Sequence, residues 1–155
     1  TLGSTVLLGQ PATFSCLALS PVRVCEVPIA PLLHSGLVDQ AFLWELAVSY
    51  AQTNAHLADW ARIVRIRTVA GQVAGTLLQL AALQRSTLVR LPSQSALAAL
   101  LATTRETIAR TLRQLEQQAC LVRRDRWHCE IERDALLALA GSGSALPARP
   151  GLRSA

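Results

Sequence analysis

Between Val38 and Ile66 the chain contains neither proline nor glycine, and its larger residues Leu43, Leu46, Tyr50, Thr53, Leu57, Trp60 and Val64 recur at alternating steps of three and four. That rhythm builds one narrow apolar stripe along a helix, the seam of a coiled coil, which a second helix must cover. A helix lying on its own domain is the alternative, although the run is longer than most globular helices. Residues 38–67 are therefore expected to form a dimerisation helix, with these seven residues as the interface of a homodimer.

Composition limits what surrounds this helix. With 155 residues, 51% hydrophobic and 16% charged, the chain can fill one ordinary domain or two small ones and is too apolar for a disordered polymer. The longest uncharged apolar stretch, Val69 to Leu83, includes Gln72 and Gln79 and falls short of the ~18 residues of a membrane span. A cytoplasmic protein without a membrane partner is expected. Thr1-Leu2-Gly3 has neither a basic nor an apolar leader pattern, so the chain is expected to begin inside a domain. Thr13–Leu19 and Val22–Val27 read as two short strands joined at Ser20-Pro21. Two strands cannot bury a face alone, so residues 1–37 are expected to be the remnant of a larger β-domain, closing with a short helical connector from Pro28 to His34 and a stop at Gly36.

The formal net charge of +5 points to an acidic partner, of which nucleic acid is the commonest. The cysteines Cys16, Cys25, Cys120 and Cys129 lie nine apart within each pair, which matches no zinc spacing. They are expected to be reduced or incidental thiols, and no metal site is expected. His34 and His56 are expected to serve packing or the surface. His128 and Cys129 are adjacent, but neighbours on a strand point to opposite faces, so they do not pair as base and nucleophile. No phosphate-binding loop, nucleophile elbow or zinc-protease motif is present, and the chain is not expected to be an enzyme.

After Arg65, Arg67 and Thr68 a helix is expected over Val69–Leu83, with Gly71 and Gly75 favouring a bend near its start. Leu88–Leu91 reads as a short strand. Pro92 and Ser93 begin a helix with Ser93 as N-cap, which runs to about Leu101. Thr104 then sets up a second N-cap with Thr107 three residues on, and this next helix reaches about Gln118. Two helices separated by a short turn fit a helix-turn-helix. Leu97, Leu101, Ile108, Leu112 and Leu115 are apolar where the two must pack, and Ala98 is small where they cross. On the second helix Ile108, Leu112 and Leu115 share one side, while Glu106, Arg110 and Arg113 share another. A helix with one buried and one arginine-bearing side can lie in a major groove. Two strands, Leu121–Arg124 and Trp127–Ile131, form a hairpin wing whose arginines Arg123, Arg124 and Arg126 are placed to touch phosphates. A short helix from Glu132 to Ala140 follows, and Gly141 to Ala155 has the composition of a flexible tail.

The stretch from Leu97 to Glu116, with its core Arg105-Glu106-Thr107-Ile108-Ala109-Arg110, resembles the winged helix-turn-helix of the Crp/Fnr family of bacterial transcription regulators. Ala74 to Ala81 is similar to the first helix of that family's DNA-binding domain, and Ala18 to Val24 to the closing strands of its cyclic-nucleotide-binding-type β-roll. The fold implied is mainly α with small β: the end of a β-roll at 1–37, a long dimerisation helix at 38–67, a winged helix-turn-helix at 68–140 and a tail at 141–155.

The resemblance implies a homodimeric regulator that binds double-stranded DNA at a palindromic operator, answers an effector sensed in the N-terminal domain and has RNA polymerase as a protein partner. It makes Arg105, Glu106 and Arg110 the base readers and Ser93, Thr104, Thr107, Arg113, Arg123, Arg124 and Arg126 the groups that position the phosphate backbone. Where cyclic-nucleotide binders of the family carry a phosphate-holding arginine, this chain reads Pro11-Ala12-Thr13, which argues against cyclic AMP. No residue pattern names another effector or cofactor. Ala102 stands at the turn where glycine is common, implying a helix-compatible or mildly strained turn. The alternative function is a partner-binding regulator whose helix-turn-helix does not touch DNA.

Overall fold

The computed structural model describes residues 3–11, 16, 18 and 22–141. The expected strand Thr13–Leu19, its turn at Ser20-Pro21, the Ala12-Thr13 site and the tail beyond Gly141 lie outside the described residues, or almost wholly so. By internal packing the chain divides into two units, 1–58 and 59–155.

The first unit opens with a 3-10 turn, Ser4–Leu8. Residues 22–28 form no strand, contrary to the β-branched pattern of Val22–Val27. A strand exists only through the ladder it shares, and no described residue of this unit pairs with it, so Val24 is left 74% exposed. The connector forms as expected: helix α1 spans Ile29–His34, His34 Nδ1 contacts the carbonyl of Ala30 at 2.7 Å, and Gly36 leaves with φ 71°. Helix α2 spans Gln40–Val64, 25 residues. Asp39 caps it, its Oδ1 accepting from the Phe42 N–H at 2.8 Å. None of the described side chains in the first unit is buried.

The second unit starts inside α2 and holds the core. Helix α3 spans Val69–Gln84, with the Thr68 hydroxyl as N-cap. It runs through Gly71 and Gly75 without a break in the helix. The glycines serve close approach: a Cβ on Gly71 would lie 2.6 Å from Ile66 Cγ2, 2.9 Å from Thr68 Oγ1 and 3.1 Å from the Leu139 carbonyl, and one on Gly75 would lie 3.1 Å from Ile63 Cγ1. Gln72 closes the end of α2, its Nε2 donating to the carbonyls of Val64 at 3.1 Å and Ile66 at 3.0 Å, groups that a helix end leaves without partners.

Strand β1 (Leu88–Arg90), helix α4 (Gln94–Leu100), helix α5 (Arg105–Gln117), strands β2 (Leu121–Arg123) and β3 (His128–Ile131) and helix α6 (Arg133–Gly141) complete the unit. The strands form one antiparallel sheet in the order β1-β3-β2, with Val89 opposite Cys129 and Leu121 opposite Ile131. The wing is therefore a three-stranded sheet. Its inner face presents Val89, Cys129, Leu121 and Ile131 to a core built on Leu77, Leu97, Ile108, Leu112, Leu115 and Leu136, all buried. Both open edges are met by side chains from helices. Gln84 Oε1 accepts from the Arg90 N–H at 2.8 Å while its Nε2 donates to the Arg90 carbonyl at 2.9 Å, and Glu116 Oε1 accepts from the Arg123 N–H at 3.4 Å.

Candidate nucleic-acid interface

Helix α5 owes its position to the turn before it. Helix α4 ends in a left-handed turn at Ala102, φ 49°, with the Ala102 N–H bonded to the Ala99 carbonyl at 3.4 Å and the Thr103 N–H to the Ala98 carbonyl at 2.9 Å. That is the Schellman pattern, in which glycine is the usual residue at the left-handed position. Two further helix ends do the same without glycine, at Arg85 (φ 51°) after α3 and Ala119 (φ 55°) after α5. The turned chain brings Thr104 to the start of α5, where its Oγ1 accepts from the Thr107 N–H at 3.1 Å and lies 3.0 Å from Thr107 Oγ1. Ser93 caps α4 likewise, accepting from the Ala96 N–H at 3.1 Å. An accepting hydroxyl still has its own proton to donate, so both caps remain able to bond a phosphate oxygen.

Ile108, Leu112 and Leu115 face the core and Thr111 is buried beside them, leaving Arg105, Glu106, Arg110 and Arg113 exposed. Arg105 occupies the first helical position. A cation there opposes the helix dipole by roughly 0.3–1 kcal/mol. An anion bound at the helix start would offset that cost.

The wing tip is organised by Asp125. Its Oδ1 accepts from the backbone N–H of Trp127 at 2.6 Å and of His128 at 2.8 Å, and its Oδ2 lies 2.9 Å from His128 Nδ1. The backbone bond from Trp127, followed by the side-chain bond from His128, holds the Asp125 carboxyl below its ordinary value. Arg126 lies over the Trp127 ring, 4.9 Å from its centroid. Arg124 turns away and pairs with Glu130 through Nε at 2.9 Å and through its terminal nitrogen. His128 and Cys129 point to opposite sides of the sheet: one meets Asp125, the other is fully buried. Burial raises the Cys129 thiol to about 11.

Two adjoining clefts run along α5. One, of about 350 Å³, is lined by Ser93, Gln94, Ser95, Arg105, Arg123, Arg126 and Trp127 over a floor of Leu91, Pro92 and Leu112. The other is lined by Gln94, Arg105, Glu106, Ala109, Arg113 and Arg123. The helix starts of α4 and α5 and the wing thus converge, and four guanidinium groups gather about them. Arg110 lies exposed on α5 beyond both clefts, and Arg124 lies outside them with Glu130. Gln94, Ser95 and Trp127 belong to the site and escape the sequence reading. Gln94 follows the capping serine directly, which is the signal that could have found it; Trp127 reads only as a strand residue.

Of the expected seam, Leu43, Leu57 and Val64 are 52%, 60% and 46% exposed, and Leu46 and Tyr50 are half-buried. Thr53 Oγ1 turns back onto the Ser49 carbonyl at 2.9 Å. Trp60 packs in part against the core of the second unit, so the open stripe is narrower at that end. Cys16 and Cys25 are exposed and Cys120 is buried with Cys129, all four unbridged. Among the described residues no three His, Cys, Asp or Glu gather as a metal site, and no helix is long and apolar enough to cross a membrane.

The model of one family, described as the Crp-like helix-turn-helix domain, matches residues 71–139. The second unit carries a Crp-like helix-turn-helix domain. The matched span runs from α3 almost to the end of α6, covering every element that lines the clefts, and points to a DNA-binding transcription regulator. No curated protein matches the chain.

Proposed function

We propose that the chain is a sequence-specific DNA-binding transcription regulator. It acts as a homodimer on a palindromic operator, under an effector sensed in its N-terminal part, in the cytoplasm and with RNA polymerase as a protein partner. The observation that carries this reading is the convergence of Arg105, Arg113, Arg123 and Arg126 on the clefts beside an exposed α5. Helix α5 enters the major groove and its N-terminal residues reach base edges. Arg105 and Arg110 suit guanine O6 and N7, and Glu106 accepts from cytosine N4, so G·C pairs are favoured in each half-site, as in the TGTGA-like half-sites that the resemblance implies. Arg113, Arg123 and Arg126, with the hydroxyls of Ser93, Thr104 and Thr107, take the phosphates. The stripe of Leu43, Leu46, Tyr50 and Leu57 supports pairing of two copies, because an apolar row of this kind is costly in water.

Selection of binding sites from random duplexes tests the reading. The wild type is expected to select an inverted repeat with halves about one DNA turn apart. Arg110→Ala is expected to cost roughly 1–3 kcal/mol on the selected site and to relax its preference. A Leu57→Glu chain is expected to sediment as a monomer. Absence of binding to any duplex at low salt would leave the partner-binding alternative; equal masses for wild type and Leu57→Glu would remove the seam.

A further inference from the structure

Resting on the DNA-binding reading, we infer that Trp127 is itself a contact to the nucleic-acid backbone and that Asp125 is the residue that positions it. The wing tip is a short surface loop, yet both polar groups of the Trp127 backbone are bonded: its N–H donates to Asp125 Oδ1 at 2.6 Å and its carbonyl accepts from the Leu91 N–H at 2.7 Å. The second bond ties the loop to the residue that leads into α4. Asp125 also takes the His128 N–H at 2.8 Å and meets His128 Nδ1, so one carboxylate fixes two successive backbone groups and a ring.

This anchoring holds an indole that is 44% exposed at the mouth of a cleft floored by Leu91, Pro92 and Leu112. The same cleft is lined by Arg105, Arg123 and Arg126 and by the capping serine of α4. Arg126 lies over the ring, which restrains the guanidinium without using its N–H groups. A ring and a stacked guanidinium, both held before any partner arrives, lose little freedom on binding. The ring offers an apolar face to a deoxyribose, and the guanidinium offers a fork to the adjoining phosphate. Such a contact carries no sequence information. It adds affinity to every duplex alike and leaves base choice to α5.

The test uses the full chain with Trp44 and Trp60 replaced by Phe, so that Trp127 is the sole indole, titrated with a dye-labelled random-sequence duplex at low salt. The emission of Trp127 is expected to change along the same isotherm as the anisotropy of the DNA. Binding seen by anisotropy with unchanged Trp127 emission would overturn this inference alone, whereas no binding of the duplex by the wild type would overturn the DNA-binding reading beneath it. In the unaltered background Trp127→Ala is expected to weaken random and selected duplexes by the same factor, roughly 3- to 20-fold, the size of one lost backbone contact. Asp125→Ala is expected to approach that loss with an unchanged melting midpoint, and Asp125→Asn, which keeps an acceptor for the Trp127 N–H, to recover part of it. A Trp127→Ala chain that loses base preference, or an Asp125→Ala chain that binds as the wild type does, would count against the assignment.

Discussion

Arg123 and Arg124 are consecutive in the chain and serve opposite sides of the sheet. Arg123 shares the inner row with Cys129 and reaches into the clefts with Arg105, while Arg124 closes on Glu130 of the outer row. Strand alternation thus separates two residues that look like one basic patch. Arg123→Ala is expected to weaken every duplex and to lower the slope of log affinity against log salt by about one. Arg124→Ala is expected to leave that slope nearly unchanged, since it removes a surface ion pair worth at most ~1 kcal/mol. Salt titrations of the two variants check this; equal slopes would refute the separation.

The turn between α4 and α5 places an alanine at φ 49°. A left-handed conformation costs an L-residue roughly 1–2 kcal/mol, of which about 0.4–1 is offset by the stiffer unfolded chain that alanine gives. Ala102→Gly is therefore expected to stabilise the domain by up to about 1 kcal/mol, seen in urea unfolding as a higher midpoint with an unchanged slope. A lower midpoint would show that Ala102 makes contacts outweighing its backbone strain.

Gly71 lies where Ile66, the Thr68 cap and the backbone of α6 crowd the first turn of α3. Because one of the atoms that a new methyl would meet is the Leu139 carbonyl oxygen at 3.1 Å, side-chain motion alone does not relieve the clash. Gly71→Ala is expected to destabilise by roughly 1–3 kcal/mol. Gly141→Ala is a fitting control, for none of the described residues lies within 4 Å of its new methyl. Thermal melts of the two variants distinguish crowding from a general effect of replacing glycine.

Cys129 holds its proton up to about 11 because it is buried, against an ordinary value of 9.0. Between those two values the unfolded chain has released a proton that the folded chain keeps, so folding stability falls as pH rises through this window. A Cys129→Ala chain is expected to show a shallower alkaline loss than the wild type. At mildly alkaline pH an alkylating reagent is expected to label the exposed Cys16 and Cys25 and to spare Cys129 until urea unfolds the domain. Mass spectrometry of the labelled chain reads this directly.

Three helices of the second unit, α3 to α5, carry boundary chemistry of their own, which made them legible. Thr68, Ser93 and Thr104 cap as their types suggest, and the spacing of Ile108, Leu112 and Leu115 declares the buried side of α5. Pairing between distant segments was not legible. Strand β1 joins β3 across most of the unit, a partnership that no local period encodes. The three helix ends at Arg85, Ala102 and Ala119 are likewise invisible to a search for glycine, because hydrogen bonds impose the left-handed turn and the residue type tolerates it. Val22–Val27 failed for the reverse reason: its β-branched residues favour a strand only where a neighbouring strand is at hand. The arginines of the site could be named from the chain, but which of them meet depended on strand alternation and on the one carboxylate, Glu130, that draws Arg124 aside.

Gln84 on α3 and Glu116 on α5 each grip the backbone of a flanking strand, at Arg90 and at Arg123. On the DNA-binding function proposed above, Glu116 therefore ties the helix that would read bases to the strand that carries Arg123. Were α5 to tilt on such a partner, the pull would pass through that one bond to the wing, and the proposed interface would shift as a piece rather than side chain by side chain.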